Sequence, residues 1–340
     1  MLAVDSGALA AALTRAKVGR STYPVLAGVR LVATGGRLSC WRSDLTLTVE
    51  SFAPIGKGEL DVVVPADLLL QYASTVDGPL AIAIVKDRLV VEAARSNISL
   101  PMFKLDDWPL VEHAEGDTVE LSEADVAAIR SVAYAAGTDV QRPTLTGIHF
   151  TGERVEATDS YRVSRAPCSI PECLIPASTL ADLEPGEITV TDRSVTFTTE
   201  GARRTVRTIE GDFPSTDRLA WDGGPDHLRA DRAALLAAMK VAQLASPVGE
   251  QRQRSVVLMP DGDTLAVSSL SGEAESSARV EAECSFKYRV GMNAGFFTDL
   301  LHAGDEEMVE LRLADALKPV GMAGTHGSEH LLMPFRLLAP

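Results

Sequence analysis

Aromatic residues are scarce in this chain, at 5% of 340, so its cores must be filled by small aliphatic side chains, chiefly alanine, valine and leucine. Cysteine is scarce too. Of Cys40, Cys168, Cys173 and Cys284, only Cys168 and Cys173 stand close in sequence, without a second pair or a histidine cluster. Reduced structural thiols are expected, and neither a disulfide framework nor a metal site is. A run of about 18 apolar residues is missing, which excludes a membrane-spanning helix. The N-terminal stretch MLAVDSGALAAALTRAKVGR has no basic start and Asp5 interrupts its apolar run, so it reads as folded chain and not as a secretion signal. A cytoplasmic location is expected. The phosphate-cradling, dinucleotide and nucleophile-elbow glycine motifs are all absent. A basic surplus is also lacking: 32 Lys and Arg against 47 Asp and Glu give a formal net charge of −15. That argues against a chain coated in nucleic acid, but not against one that gathers a few basic residues on one surface.

What is present is a pattern that occurs three times. DSGALAAALTRAKVGR offers Asp5 or Ser6 as a helix cap and puts Leu9, Ala12, Leu13 and Ala16 on one face. SEADVAAIRSVAYAAG repeats this with Ser122 as cap and Val126, Ile129 and Ala133 inward. DRAALLAAMKVAQLAS does so with Asp231, Leu235, Ala238, Met239 and Ala242. These helices begin roughly 110 residues apart. Each is followed by a strand–turn–strand–turn–strand stretch, then by a short second helix (VPADLLLQYAS, IPASTLADL, GMNAGFFTDLLHA), then by further strands. An α+β architecture of three repeated modules follows, each with two helices packed on antiparallel sheets. Periodicity fades near residues 115–120 and 221–228, which places the domains at 1–116, 117–224 and 225–340.

The chemistry-bearing candidates are few. Asp44 in SDL and Asp159 in TDS would serve a metal-dependent nuclease if they met, but they occupy equivalent places in successive modules. An aspartate holding a strand-to-strand turn is the simpler reading. His326 and His330 lie in a Gly- and Ser-rich turn without a third ligand nearby. No catalytic residue, cofactor or metal is expected.

The segments YPVLAGVRL…SDLTLTV, VPADLLLQY, RPTLTGIHF…ATDSYRVS, IEGDFPSTDRL and LLMPFRL resemble, in order and over essentially the whole chain, the motifs of the bacterial beta sliding clamp family. That family is the processivity subunit of the replicative DNA polymerase, the DNA polymerase III beta subunit. ATDxxR, then EGxFP about 50 residues on, then MPxRL at the end form the specific part. The resemblance implies a head-to-tail homodimer closing into a six-domain ring around duplex DNA, held by topology and independent of sequence. It also implies a groove between the second and third domains in which the polymerase, the clamp loader and repair factors insert short linear peptides.

Carried over residue by residue, one wall of that groove is Leu145, Thr158, Ser160, Tyr161, Arg162 and Val163, with Arg162 as a donor to peptide carbonyls. Pro214, Arg218 and Leu219 complete a pocket, and Leu331, Leu332, Met333, Pro334, Phe335 and Arg336 form a C-terminal wall. Ser160 stands where the family usually has glycine. Candidate DNA-facing residues are Arg15, Lys17, Arg20, Arg130, Gln141, Arg142, Lys240, Arg252 and Arg254, with GTDVQRPTL lacking the family's usual aromatics. By the same analogy the edge strand SNISLPMF, with Ile98 and Leu100 as apolar plugs, pairs with the partner near Gln243 and Leu244. A clamp-like protein that binds partners without encircling DNA, and the nuclease using Asp44 and Asp159, remain the alternatives.

Overall fold

In the computed structural model, residues 2–109, 112–219, 221–245, 255–270 and 274–337 are described. The first module runs β1 (Leu2–Asp5), α1 (Ser6–Arg15), β2 (Gly28–Thr34), β3 (Arg37–Ser43), β4 (Leu47–Pro54), β5 (Leu60–Pro65), α2 (Ala66–Thr75), β6 (Pro79–Val85), β7 (Arg88–Ala93) and β8 (Ser96–Pro101). The second runs β9 (Thr118–Leu121), α3 (Glu123–Ala133), β10 (Gly147–Phe150), β11 (Arg154–Thr158), β12 (Arg162–Pro167), β13 (Cys173–Pro176), β14 (Gly186–Val190), β15 (Ser194–Thr198) and β16 (Ala202–Arg207). The third runs β17 (Asp226–Asp231), α4 (Arg232–Ala242), β18 (Ser255–Asp261), β19 (Thr264–Leu270), β20 (Glu275–Cys284), β21 (Val290–Asn293), α5 (Ala294–Ala303), β22 (Met308–Leu313), β23 (Val320–Ala323) and β24 (Glu329–Leu332).

The repeat is literal in the strand order. β5-β2-β3-β4 with β1-β6-β7-β8 recurs as β13-β10-β11-β12 with β9-β14-β15-β16, and again as β21-β18-β19-β20 with β17-β22-β23-β24. Among the described residues all strand pairings are antiparallel. One compact unit, residues 1–121 and 178–208, holds the sheet β1-β6-β7-β8 and an eight-stranded sheet in which β4 pairs with β16. The other, residues 122–177 and 209–340, is built on one twelve-stranded sheet in which β12 pairs with β24.

The local chemistry explains the helix starts. Asp5 accepts the Ala8 amide at 3.0 Å, Ser122 forms a reciprocal capping box with Asp125, and Asp231 accepts the Ala234 amide at 2.6 Å. The inward faces are closed: Leu9, Ala12, Leu13, Leu235, Ala238, Met239 and Ala242 are all buried. In the hairpin between β2 and β3, Gly35 and Gly36 take φ of 57° and 79°, which side chains with a Cβ adopt only at a cost.

The second helix of the middle module does not form. IPASTLADL contributes only a single 3₁₀ turn, Ala177–Thr179. Pro185 disfavours helix at Glu184, leaving too short a span, and Ser178 and Thr179 are weak helix formers. Leu180 and Leu183 are still buried, so the apolar anchors survive without the helix. Among the described residues no helix is long and apolar enough to cross a membrane.

Candidate functional site

The site is built around the turn that joins β11 to β12. Ser160 has φ of 81°, and the turn around it is held by side chains. Thr158 Oγ1 accepts the Ser160 amide at 3.1 Å and donates to the Arg162 carbonyl at 2.7 Å. Asp159 Oδ1 accepts the amides of Tyr161 and Arg162 at 2.9 and 3.0 Å. Asp159 is therefore fully occupied as a turn-holding carboxylate, and Asp44 does the same work in its own turn, accepting the amides of Thr46 and Leu47. Neither is placed as an acid–base group.

Arg162 is a structural side chain more than the free donor expected for it. Its Nε binds Asp159 at 2.9 Å and its Nη1 binds Asp299 of α5 at 2.6 Å. The guanidinium lies 4.4 Å from the Phe296 ring centroid and 5.2 Å from that of Tyr134. A half-buried guanidinium needs this pairing, and the result ties the turn to α5. Tyr161 is left half-exposed at the rim, while its carbonyl accepts the Met333 amide at 2.8 Å.

Beside this turn opens a largely apolar cleft of about 310 Å³. Thr158, Ser160, Tyr161, Arg162 and Val163 line one side. Pro214 and Leu219 line another, and Leu331 and Met333 a third. Ser215, Thr216 and Pro319 also line it and were missed from the sequence. The first two sit between Pro214 and Arg218 and were within reach of the motif; Pro319 is brought in only by the β22–β23 connection.

Other expected wall residues lie elsewhere. Leu145 lines a neighbouring cleft of about 500 Å³ with Asp139, Arg142, Phe296 and Asp299, on the far side of Tyr161. Leu332 belongs to the core because strand alternation turns it away from the face that carries Leu331. Pro334 is buried, and the Phe335 amide bonds the Gly291 carbonyl at 2.9 Å while its ring lies over Gly291. Arg218 and Arg336 are exposed and do not line the cleft.

The wall at residues 212–219 has no helix or strand of its own. Phe213 stacks on His149 at 4.9 Å, Thr216 Oγ1 donates to Glu156, and Asp217 pairs with Arg154. Beyond it, Trp221 lies 4.0 Å beneath the Arg165 guanidinium. Burial alone would raise the Glu156 carboxyl. Hydrogen bonds from His149 and Thr216 and the charge of Arg154 outweigh it, holding the group below the usual carboxylate range.

His330 is fully buried behind the cleft, bonded to Ser164 at 2.9 Å through Nδ1 and to Ser328 at 3.0 Å through Nε2. Both ring nitrogens are occupied. Desolvation lowers its pKa to about 4, so the ring is neutral.

The basic candidates fall on helix ends and loops. Arg15, Arg130 and Lys240 each sit in the last turn of α1, α3 and α4, where a cation also complements the helix dipole. The Arg15 guanidinium runs alongside Gly201. Lys17, Arg20 and Gln141 are exposed, and Arg142 bonds Asp139 and Ser160 at 3.2 and 3.1 Å. Arg252 and Arg254 lie outside the described residues. β8 is an edge strand, as expected, but Leu100 is buried on its inward face and is not an exposed plug; Ile98, on the same face, is half-buried. Gln243 bonds Thr298 at 3.2 Å, and Leu244 is 81% exposed.

This geometry has relatives. Residues 5–112 match the family model for the DNA polymerase III beta subunit, N-terminal domain. A beta sliding clamp of Caulobacter vibrioides is 27% identical over 94% of both chains, and one of Pseudomonas putida is 26% identical over 94% of both. The crystal structure of a Pseudomonas aeruginosa DNA polymerase sliding clamp superposes with a TM-score of 0.88 at 23% identity, covering 98% of this chain and 99% of that one. A beta sliding clamp structure from Caulobacter crescentus gives 0.85 at 25% identity, covering 99% of each. The thrice-repeated α+β modules and the cleft beside the ATDSYR turn thus define a clamp-type fold. Within that class, the chain is similar over nearly its whole length to beta sliding clamps.

Proposed function

We propose that this chain is a DNA sliding clamp, a processivity factor that works without catalysis. Three domains, at 1–116, 117–224 and 225–340, pair head to tail with those of a second copy to close a ring around duplex DNA. The cleft beside Tyr161 takes short linear peptides from the replicative polymerase, the clamp loader and repair factors, with a leucine or phenylalanine anchor in its apolar floor. The observation that carries this reading is the cleft itself. Its walls come from residues far apart in sequence, and it leaves Met333, Leu219 and Tyr161 exposed at its margin.

A ring also reconciles the charge. With a net charge of −15, a tight phosphate grip is unfavourable, whereas topological tethering needs only a weakly basic lining and leaves the protein able to slide. Arg15, Lys17, Arg20, Arg130, Gln141, Arg142, Lys240, Arg252 and Arg254 are the proposed lining. The exposed edge of β8 is the proposed seam with the region of Gln243 and Leu244 of a second copy, a pair of heterologous head-to-tail contacts that closes the ring. The site of action is the cytoplasm, at the nucleoid.

Light scattering coupled to size exclusion tests the assembly. A mass near twice 36.2 kDa, held on dilution, is expected. A monomer at every concentration would remove the ring.

A further inference from the structure

One wall of the cleft is held by a carboxylate that does not face it. Glu156, on β11, is 2% exposed and lines no part of the cleft. It accepts hydrogen bonds from Thr216 Oγ1 at 2.5 Å, His149 Nδ1 at 2.9 Å and Arg154 Nε at 3.3 Å. His149 in turn carries the ring of Phe213, stacked at 4.9 Å. Phe213 and Thr216 bracket Pro214 and Ser215, the two residues between them that face the cleft. The segment has no sheet or helix to fix it, so its position depends on these side-chain anchors.

We propose that Glu156 is a positioning residue that sets the width of the cleft, and so the size of the apolar side chain it admits. This rests on the reading of the cleft as the peptide site. A carboxylate with three hydrogen-bond partners holds Thr216 directly and Phe213 through His149. A neutral group at the same place keeps the packing volume but loses the charge that orders His149 and Arg154. The strap then becomes mobile relative to the turn at Tyr161. Binding must order it, which weakens affinity, and a wall that yields no longer rejects a misfit side chain. Specificity falls together with affinity.

The test uses two fluorescein-labelled hexapeptides that differ only in a leucine or phenylalanine at one apolar anchor, with full-length protein and anisotropy as readout. The wild type is expected to bind both, one several-fold more tightly. Glu156→Gln weakens the better-bound peptide about tenfold and brings the two affinities within about twofold, at a temperature where circular dichroism shows the variant folded. Thr216→Val does the same although it adds apolar surface to the wall, and Thr216→Ser, which keeps the hydroxyl, restores wild-type behaviour. If Glu156→Gln does not fold, the two Thr216 variants decide. Unchanged affinities and ratio in the variants, or a wild type that binds both peptides equally, would overturn the inference and leave the cleft reading standing. A wild type that binds neither peptide overturns that reading and the inference with it.

Discussion

Two turns in this chain share one frame and differ in what is hung on it. In residues 43–47, Ser43 Oγ accepts the Leu45 amide, Asp44 Oδ1 accepts the amides of Thr46 and Leu47, and Leu45 has φ of 75°. In residues 158–162, Thr158, Asp159 and Ser160 repeat every element, with φ of 81° at Ser160. The second carboxylate oxygen is where they part. Asp44 spends it on the Gly19 amide at 2.9 Å, closing the turn against its own module. Asp159 spends it on Arg162 Nε at 2.9 Å, and Arg162 goes on to Asp299. Beneath the first turn Val49 is buried; at the corresponding place beneath the second, Ser164 opens a polar network with Tyr134 and His330. The aspartate belongs to the fold. The Tyr161–Arg162 pair after it belongs to the site.

The largest effect expected from breaking this comparison is at the two aspartates. Asp159→Ala removes the acceptor of two backbone amides and leaves a half-buried Arg162 with one carboxylate, destabilising by about 3 kcal/mol. Asp44→Ala, which strands no buried charge, costs about 1.5 kcal/mol. Denaturant midpoints at constant slope measure both, and only Asp159→Ala is expected to abolish peptide binding. Equal losses, with binding intact in both, would show that the second turn has no special role.

An effect no larger than that at Asp159 separates the turns by pH. His330 stays neutral in the fold down to about pH 4, against an ordinary value of 6.5. The unfolded chain binds the extra proton in that window, so stability is full above pH 6.5 and falls as pH drops toward 4, by at most about 3 kcal/mol. The depressed Glu156 carboxyl contributes its loss only at lower pH, as the pH falls through its folded value. His330→Gln is expected to flatten the slope between pH 6.5 and 4, whereas Val49 offers no such group. An unchanged slope would mean that the proton binds elsewhere.

The smallest effect is at the left-handed positions. Leu45→Gly relieves backbone strain and is expected to raise stability by about 1 kcal/mol. Ser160→Gly gains less, about 0.5 kcal/mol, because it also removes the Arg142 partner at 3.1 Å. Thermal midpoints read both, and a loss at Leu45 would show that its side chain earns more by contact than its backbone costs.

Much of this was legible because it is local or periodic. The caps at Asp5, Ser122 and Asp231 and the buried faces behind them follow from spacing within one turn of helix. The family's usual glycine at Ser160 is explained by a positive φ that the sequence alone does not display. What failed depends on partners distant in sequence. The pairing of Arg162 with Asp299, 137 residues away, cannot be inferred from the motif, which suggests only a donor facing a ligand. The motif LLMPFRL does not reveal which way strand alternation turns Leu332, and the same holds for Leu100, the expected interface plug in SNISLPMF. The Glu156–Thr216 bond spans 60 residues and has no sequence signature.

Retention on DNA tests encirclement most directly. The chain, loaded onto nicked circular duplex with its loader and ATP, is expected to stay bound through gel filtration at high salt. It should be lost once the circle is cut at one site, because a sliding ring runs off an end. Equal retention on circular and linear DNA would mean a grip on phosphates in place of topology, and failure to remain on the circle would mean that no ring closes.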